Sequence, residues 1–152
     1  MTPRRKHGRK PARHPAKSPP LLPLQQTRRV AWRVIETEVF TELWAERGLR
    51  ESLKDDLKDR LVKNPDRGDP IPGCGLLRKE RMADPVRRKG ARGGLRVIFS
   101  AFSDIAVVWL ITVYGKDEQD DLPKDEVGPL CEAVKRLASE ERHRLRRQQE
   151  TR

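Results

Sequence analysis

The chain has 152 residues, which suffices for one ordinary domain and is too short for two domains with separate cores. Charged residues make up 38% of it and hydrophobic residues 35%, so it folds only if the apolar residues are concentrated in a few segments. The net charge of +11 points to nucleic acid or an anionic membrane surface as a partner, and no apolar run reaches the ~18 residues of a membrane span.

The positive charge is unevenly distributed. Residues 1–29 contain nine Arg or Lys, no acidic residue and several prolines, which predicts a disordered basic arm. Such an arm binds nucleic acid nonspecifically, or is a solvated tail, or results from a wrongly chosen upstream start codon. It has no apolar region of the secretory type, so we expect a cytoplasmic protein. We expect a folded domain over residues 30–140, and a charged tail over residues 141–152.

Cys74 and Cys131 are far apart in the sequence, and no second pair of cysteines accompanies them. This spacing signals neither a zinc site nor a disulfide framework. We therefore expect two free thiols, as in most cytoplasmic proteins, and the sequence predicts no cofactor and no metal site.

The N-terminal half of the domain predicts one strand and two helices. Alternating apolar residues over 30–36 indicate a strand, and Thr37 or Thr41 is a candidate N-cap for a short helix. The second helix has the clearest amphipathic pattern, which ends at Asn64 before a proline. Its apolar face comprises Leu49, Leu53, Leu57 and Leu61.

The C-terminal half predicts three strands and one helix. Three glycines and two prolines over residues 68–75 indicate a loop, which lacks the Gly-Lys-Ser/Thr of a phosphate-binding loop. Strands are predicted over 76–82, 95–102 and 105–114, the last two joined by a tight turn at Ser103 and Asp104. A helix begins near Pro123. The fold class is thus α+β, with a small antiparallel sheet packed by two N-terminal helices and one C-terminal helix.

Eight basic and two acidic residues lie between positions 78 and 96, on two predicted strands and the loop that joins them. Strand alternation places Lys79 and Arg81 on one face of the sheet and Arg78 and Glu80 on the other. Arg96, on the neighbouring strand, completes a patch where a phosphate would bind. The joining loop predicts an electrostatic docking surface for RNA, formed with Arg81 by Arg87, Arg88, Lys89 and Arg92.

Three segments together, GDPIPGCGLLRKERM, RRKGARGGLRVIF and YGKDEQDDL, resemble the RelE/ParE superfamily of type II toxins, in particular its HigB/RelE-like branch. The resemblance covers residues 32–137. It implies a RelE-like fold and a ribosome-dependent mRNA endonuclease that needs no metal and inhibits translation. It also implies a cognate antitoxin that binds the toxin in a hetero-oligomer. Two alternatives stay open: a ParE-like toxin that inhibits DNA gyrase by binding it, and a family member that only binds RNA.

The resemblance also implies roles for individual residues. Arg96 would bind the scissile phosphate, Arg78 and Lys79 form the basic pair on the preceding strand, and Lys116 ends the last strand. The chain departs from RelE in having an acidic residue after Lys116 and no tyrosine beyond Tyr114. RNA cleavage by a 2′-hydroxyl needs a general base and cations that stabilise the charged phosphoryl group. The candidate bases are Lys79, Glu80 and Lys116.

Overall fold

A computed structural model describes residues 31–151, so the predicted arm at 1–29 lies outside the described residues. The elements form an α+β fold, as predicted, with one five-stranded sheet in the order β1-β5-β4-β3-β2. No helix in the described range is long and apolar enough to cross a membrane. In chain order the elements are β1 (Arg33–Glu36), α1 (Glu38–Glu46), α2 (Glu51–Lys63), β2 (Asp69–Ile71), β3 (Cys74–Met82), β4 (Leu95–Phe102), β5 (Val107–Gly115) and α3 (Lys124–Glu150).

The sheet is mixed, whereas the sequence predicted an antiparallel one. Strands β2 to β5 pair antiparallel, but β1 pairs parallel with β5 at the edge. A parallel pair needs a long connection, and here two helices and three strands separate the partners along the chain. Strand β2 lies in the segment 68–75, which its glycines and prolines predicted to be a loop; its Pro70 is tolerated because β2 is an edge strand.

The helix boundaries follow local capping chemistry. Of the two candidate caps, Thr37 is the one used: its Oγ1 accepts a hydrogen bond from the Phe40 amide at 3.2 Å. Helix α2 ends at Lys63 and its C-cap is Asn64, directly before the proline that the sequence marked. The turn between β4 and β5 is longer than predicted, because Ala106 adopts a left-handed conformation (φ 51°) and β5 begins only at Val107.

The helices cover both faces of the sheet. Helices α1 and α2 pack through Phe40, Trp44 and Leu57 on one face. Helix α3 packs through Val127 and Val134 on the other. The continuous apolar sequence of β5 predicted a strand at the centre of the sheet that is covered on both faces. Strand β5 is buried on both faces, but the central strand is its neighbour β4.

The two cysteines form a disulfide, which corrects the prediction of free thiols. Cys74 opens β3 and Cys131 lies in α3, with Cα atoms 6.0 Å apart. A sequence separation of 57 gave no sign of this pairing, because only the packing of α3 on the sheet brings the two residues together. Disulfides are typical of oxidising compartments, in contrast to the thiol state expected in the cytoplasm.

Candidate nucleic-acid interface

The register of β3, β4 and β5 sorts the basic side chains between the two faces of the sheet. Arg81 pairs with Arg96, Lys79 with Ile98, and Arg96 with Tyr114. Because directly opposed residues of antiparallel strands project to the same face, these side chains all lie on the face that α3 covers. Lys79, Arg81 and Arg96 are called the cationic cluster below.

Arg78 and Glu80 lie on the opposite face, as strand alternation predicted. The Arg78 guanidinium donates hydrogen bonds to the carbonyl oxygens of Asp66 at 2.7 Å, Arg67 at 2.8 Å and Gly68 at 2.9 Å. Glu80 is buried and accepts a hydrogen bond from Arg67 at 3.1 Å. The structure therefore does not bring Arg78 or Glu80 to the cationic cluster; both hold the connection that follows α2.

Arg96 is 3% exposed and anchors the loop before its own strand. Its guanidinium donates hydrogen bonds to the carbonyl oxygens of Ala91 at 2.9 Å and Arg92 at 2.6 Å. Burial lowers the pKa of Arg96 and so does the nearby Arg81 charge, while Tyr114 and Asp121 act in the opposite direction. Arginine nevertheless remains charged throughout the physiological range. Arg96 thus supplies a buried positive charge and fixes the loop beside it.

The other two cations of the cluster differ in their partners. The Lys79 ammonium lies 2.5 Å from an Asp121 carboxylate oxygen, and the two side chains are 17% and 71% exposed. Arg81 is 56% exposed, and its closest carboxylate oxygen, from Asp69, is 4.0 Å away. Arg81 is therefore available to an anion, whereas Lys79 is already bound to a carboxylate.

Tyr114 lies beside Arg96, and sequence reasoning did not assign it to the site. It is 6% exposed, and its buried hydroxyl has no hydrogen-bond partner among residues 31–151. Burial raises the pKa of Tyr114 to about 12, with Asp121 adding to this shift and Arg96 opposing it. The phenol is therefore protonated at neutral pH and is a donor without an acceptor. The signal available in the sequence was the position of Tyr114 in the YGK segment. In the folded sheet this segment lies two strands away from Arg81.

The basic loop, residues 84–94, is held in place by a buried carboxylate at its start, that of Asp84. Asp84 is 1% exposed, and its backbone forms two hydrogen bonds with Lys89, at 2.8 and 2.9 Å. Its side chain binds Arg87 at 3.2 Å, and the Lys89 ammonium binds Asp117 at 2.6 Å. The predicted RNA contacts Arg87 and Lys89 are thus paired to carboxylates.

Arg88 and Arg92 are exposed and in no ion pair within the described range. Arg88 sits at a left-handed position (φ 56°) near the loop tip. Lys116 is exposed beside this loop, and its backbone amide donates to the Gly94 carbonyl at 2.9 Å. These three cations form the outer part of the surface, apart from the cationic cluster on the sheet.

A second buried arginine, Arg47, connects the basic loop to the turn after β5 and was not predicted. Its guanidinium lies 3.9 Å from Asp84 and donates a hydrogen bond to Glu118 at 2.5 Å. A Cβ atom at Gly115 would lie 2.8 Å from an Asp117 carboxylate oxygen and 2.9 Å from this guanidinium, so a side chain there would force one of these groups to move. The loop, the turn and the sheet are thereby fixed relative to one another.

No protein-family model matches the sequence. Among solved structures, the crystal structure of the isolated E. coli RelE toxin is similar to this chain, with 20% sequence identity and a TM-score of 0.41. The match covers 70% of this chain and 99% of the toxin chain. Similarity at this level assigns no activity to this chain.

Proposed function

We propose that this chain is the toxin component of a type II toxin-antitoxin system and that it cleaves translated mRNA on the ribosome. The observation that carries the proposal is the cationic cluster, in which Lys79, Arg81 and Arg96 share one face of the sheet because of the strand register. Arginine and lysine side chains held in this way bind phosphate oxygens and stabilise charge on a phosphoryl group. The exposed cations of the basic loop then dock the neighbouring nucleotides.

The proposed reaction is transesterification within the RNA. The 2′-oxygen forms a bond to the adjacent phosphorus while the bond from phosphorus to the 5′-oxygen breaks. A base takes the proton of the 2′-hydroxyl, and an acid protonates the leaving 5′-oxygen. Arg81 and the buried charge of Arg96 stabilise the negative charge that builds on the phosphoryl oxygens.

The positions of the three candidate residues reduce the choice of general base to two. Glu80 is buried on the opposite face and bound to Arg67, so it does not face the phosphate that the cationic cluster would bind. Lys79 lies in the cluster and Lys116 at the edge of the basic loop. We therefore retain Lys79 and Lys116 as candidate bases.

The proposed partners follow from the same surface. We propose that a cognate antitoxin covers the cationic cluster and the basic loop in a hetero-oligomer. Its contacting segment should be acidic, because the segment from residue 78 to residue 96 has an excess of basic residues. An acidic segment there would block RNA by occupying the cations that bind phosphate.

The test is primer extension on a reporter mRNA after brief induction of each variant in cells without the antitoxin. Arg81→Ala is the informative variant, because Arg81 is exposed and holds no buried contact, unlike Arg96. Lys135→Ala, which removes an exposed cation on α3, is the matched control. Wild type and control should produce new 5′ ends inside translated codons, and Arg81→Ala should reduce them about 100-fold.

Two other outcomes would contradict the proposal. Growth arrest with intact mRNA after induction of the wild-type protein would favour the alternative, a toxin that inhibits DNA gyrase by binding it. Cleavage by Arg81→Ala at the wild-type level would contradict a role of the cationic cluster in the reaction. A thermal melt of each purified variant checks that any lost activity does not reflect lost folding.

A further inference from the structure

We propose that the Asp121 carboxylate occupies the position of a nucleic-acid phosphate in the cationic cluster, and that bound RNA displaces it. The inference rests on the proposed function, because it takes RNA as the ligand. Beyond the proposed function, it states that Asp121 competes with RNA and that one RNA phosphate binds where its carboxylate lies.

Asp121 acts on three groups of the same face at once. Its Oδ1 lies 2.5 Å from the Lys79 ammonium. Two further groups are within its electrostatic reach: its charge partly opposes the lowering of the Arg96 pKa that burial causes, and it adds to the raised pKa of Tyr114. The single carboxylate therefore interacts electrostatically with a lysine, a buried arginine and a phenol.

A phosphate suits this position better than the carboxylate does. Both are anionic oxygen acceptors, but a phosphate offers more oxygens arranged around a tetrahedral centre. The Tyr114 hydroxyl is a buried donor with no acceptor in the described structure, even with Asp121 nearby. A phosphate oxygen would supply this missing acceptor. The carboxylate thus neutralises Lys79 and leaves Tyr114 unsatisfied.

The carboxylate is also easy to displace. Its side chain is 71% exposed, and it lies in the segment between β5 and α3 rather than in either element. An exposed ion pair contributes little free energy, because water and salt screen it and the two side chains lose conformational freedom. An RNA strand that contacts Arg81 and the basic loop as well gains several phosphate contacts at once, which exceeds the contribution of one such pair.

The first experiment measures the dissociation constant of a fluorescent single-stranded RNA, 2′-O-methylated throughout so that it resists cleavage, by anisotropy at fixed salt. Asp121→Asn is compared with Asp120→Asn, which removes the same charge from an exposed neighbour that has no ion pair within residues 31–151. Asp121→Asn should bind about two- to fivefold more tightly than Asp120→Asn. In a Lys79→Gln background this difference should shrink, because the residue that pairs directly with Asp121 is then absent.

A second measurement separates this inference from the proposed function. The thermal melt of each variant is recorded with and without inorganic pyrophosphate, which probes anion binding without RNA. If pyrophosphate stabilises Asp121→Asn more than Asp120→Asn while no variant binds RNA, the site for phosphate stands and the proposed function fails. Equal behaviour of the two variants toward both ligands overturns the inference. Unchanged affinity for this RNA together with lost mRNA cleavage in the primer-extension assay for Asp121→Asn also overturns it, because Asp121 would then act in the reaction and not as a competitor of RNA.

Discussion

Tyr114 carries a hydroxyl that the described part of the chain buries without giving it a partner. Such a group destabilises the folded state by about 1–3 kcal/mol, because it loses its hydrogen bonds to water on folding. We expect Tyr114→Phe to raise the free energy of unfolding by about 1 kcal/mol, measured by urea denaturation. The same variant should weaken binding of the 2′-O-methylated RNA, because a donor for phosphate is lost.

The two readouts of Tyr114→Phe test different claims. A lower free energy of unfolding would contradict the absence of a partner for the hydroxyl. Higher stability with unchanged RNA affinity would contradict a role for the phenol in binding. Tyr114→Leu, which removes the ring as well, should lower stability and provides the comparison for a lost core contact.

The faces of individual residues on β3 were predictable, but their partners were not. The period of a strand is two, so Lys79 and Arg81 had to face away from Arg78. The hydrogen bonds of Arg78 to the backbone carbonyls after α2 depend on tertiary packing, which a local sequence pattern does not predict. The same holds for Asp121, which reaches Lys79 from a position 42 residues further along the chain.

At the scale of elements, the shape of the basic loop depends on Gly94. A Cβ atom at this position would lie 2.3 Å from the Met82 carbonyl oxygen and 2.9 Å from the Asp84 amide nitrogen. Both obstacles are backbone atoms, so no side chain can move aside. We expect Gly94→Ala to lower the free energy of unfolding by about 2–3 kcal/mol, measured by urea denaturation, and to weaken RNA binding.

Gly93→Ala is the matched control, because a Cβ atom there would meet nothing within 4 Å. It makes the same chemical change one residue earlier in the same loop. Equal stability of the two variants would contradict the close approach of Gly94 to the backbone of Met82 and Asp84. Weakened RNA binding by Gly93→Ala alone would place the important RNA contact at position 93 itself instead.

Elements with a strong period were predictable from the sequence, and those set by pairing were not. Strand β4 spans Leu95–Phe102, the range that its apolar pattern predicted, and α2 ends where Asn64 precedes a proline. Strand β2 has three residues, one of them a proline, so only its pairing with β3 identifies it. The parallel direction of β1 likewise depends on its partner β5, which lies far along the chain.

At the scale of the whole molecule, α3 is held to the sheet at separate points along its length. The disulfide joins Cys131 to the start of β3. Further along the helix, Arg142 donates a hydrogen bond to Asp104 in the turn between β4 and β5 at 2.7 Å. Arg33 of β1 forms an ion pair with Glu141. The helix is continuous from Lys124 to Glu150.

The disulfide should dominate this attachment, because it constrains a loop of more than fifty residues in the unfolded chain. We expect Cys131→Ser to lower the free energy of unfolding by about 2–4 kcal/mol, measured by urea denaturation under non-reducing conditions. Wild type with dithiothreitol should fall to a similar value, while the double variant Cys74→Ser/Cys131→Ser should not respond to the reductant. An unresponsive wild type with two thiols titratable after unfolding would instead restore the free cysteines that the sequence predicted. In that case α3 would be held to the sheet by its apolar contacts, among them those of Val127 and Val134, and by its salt bridges.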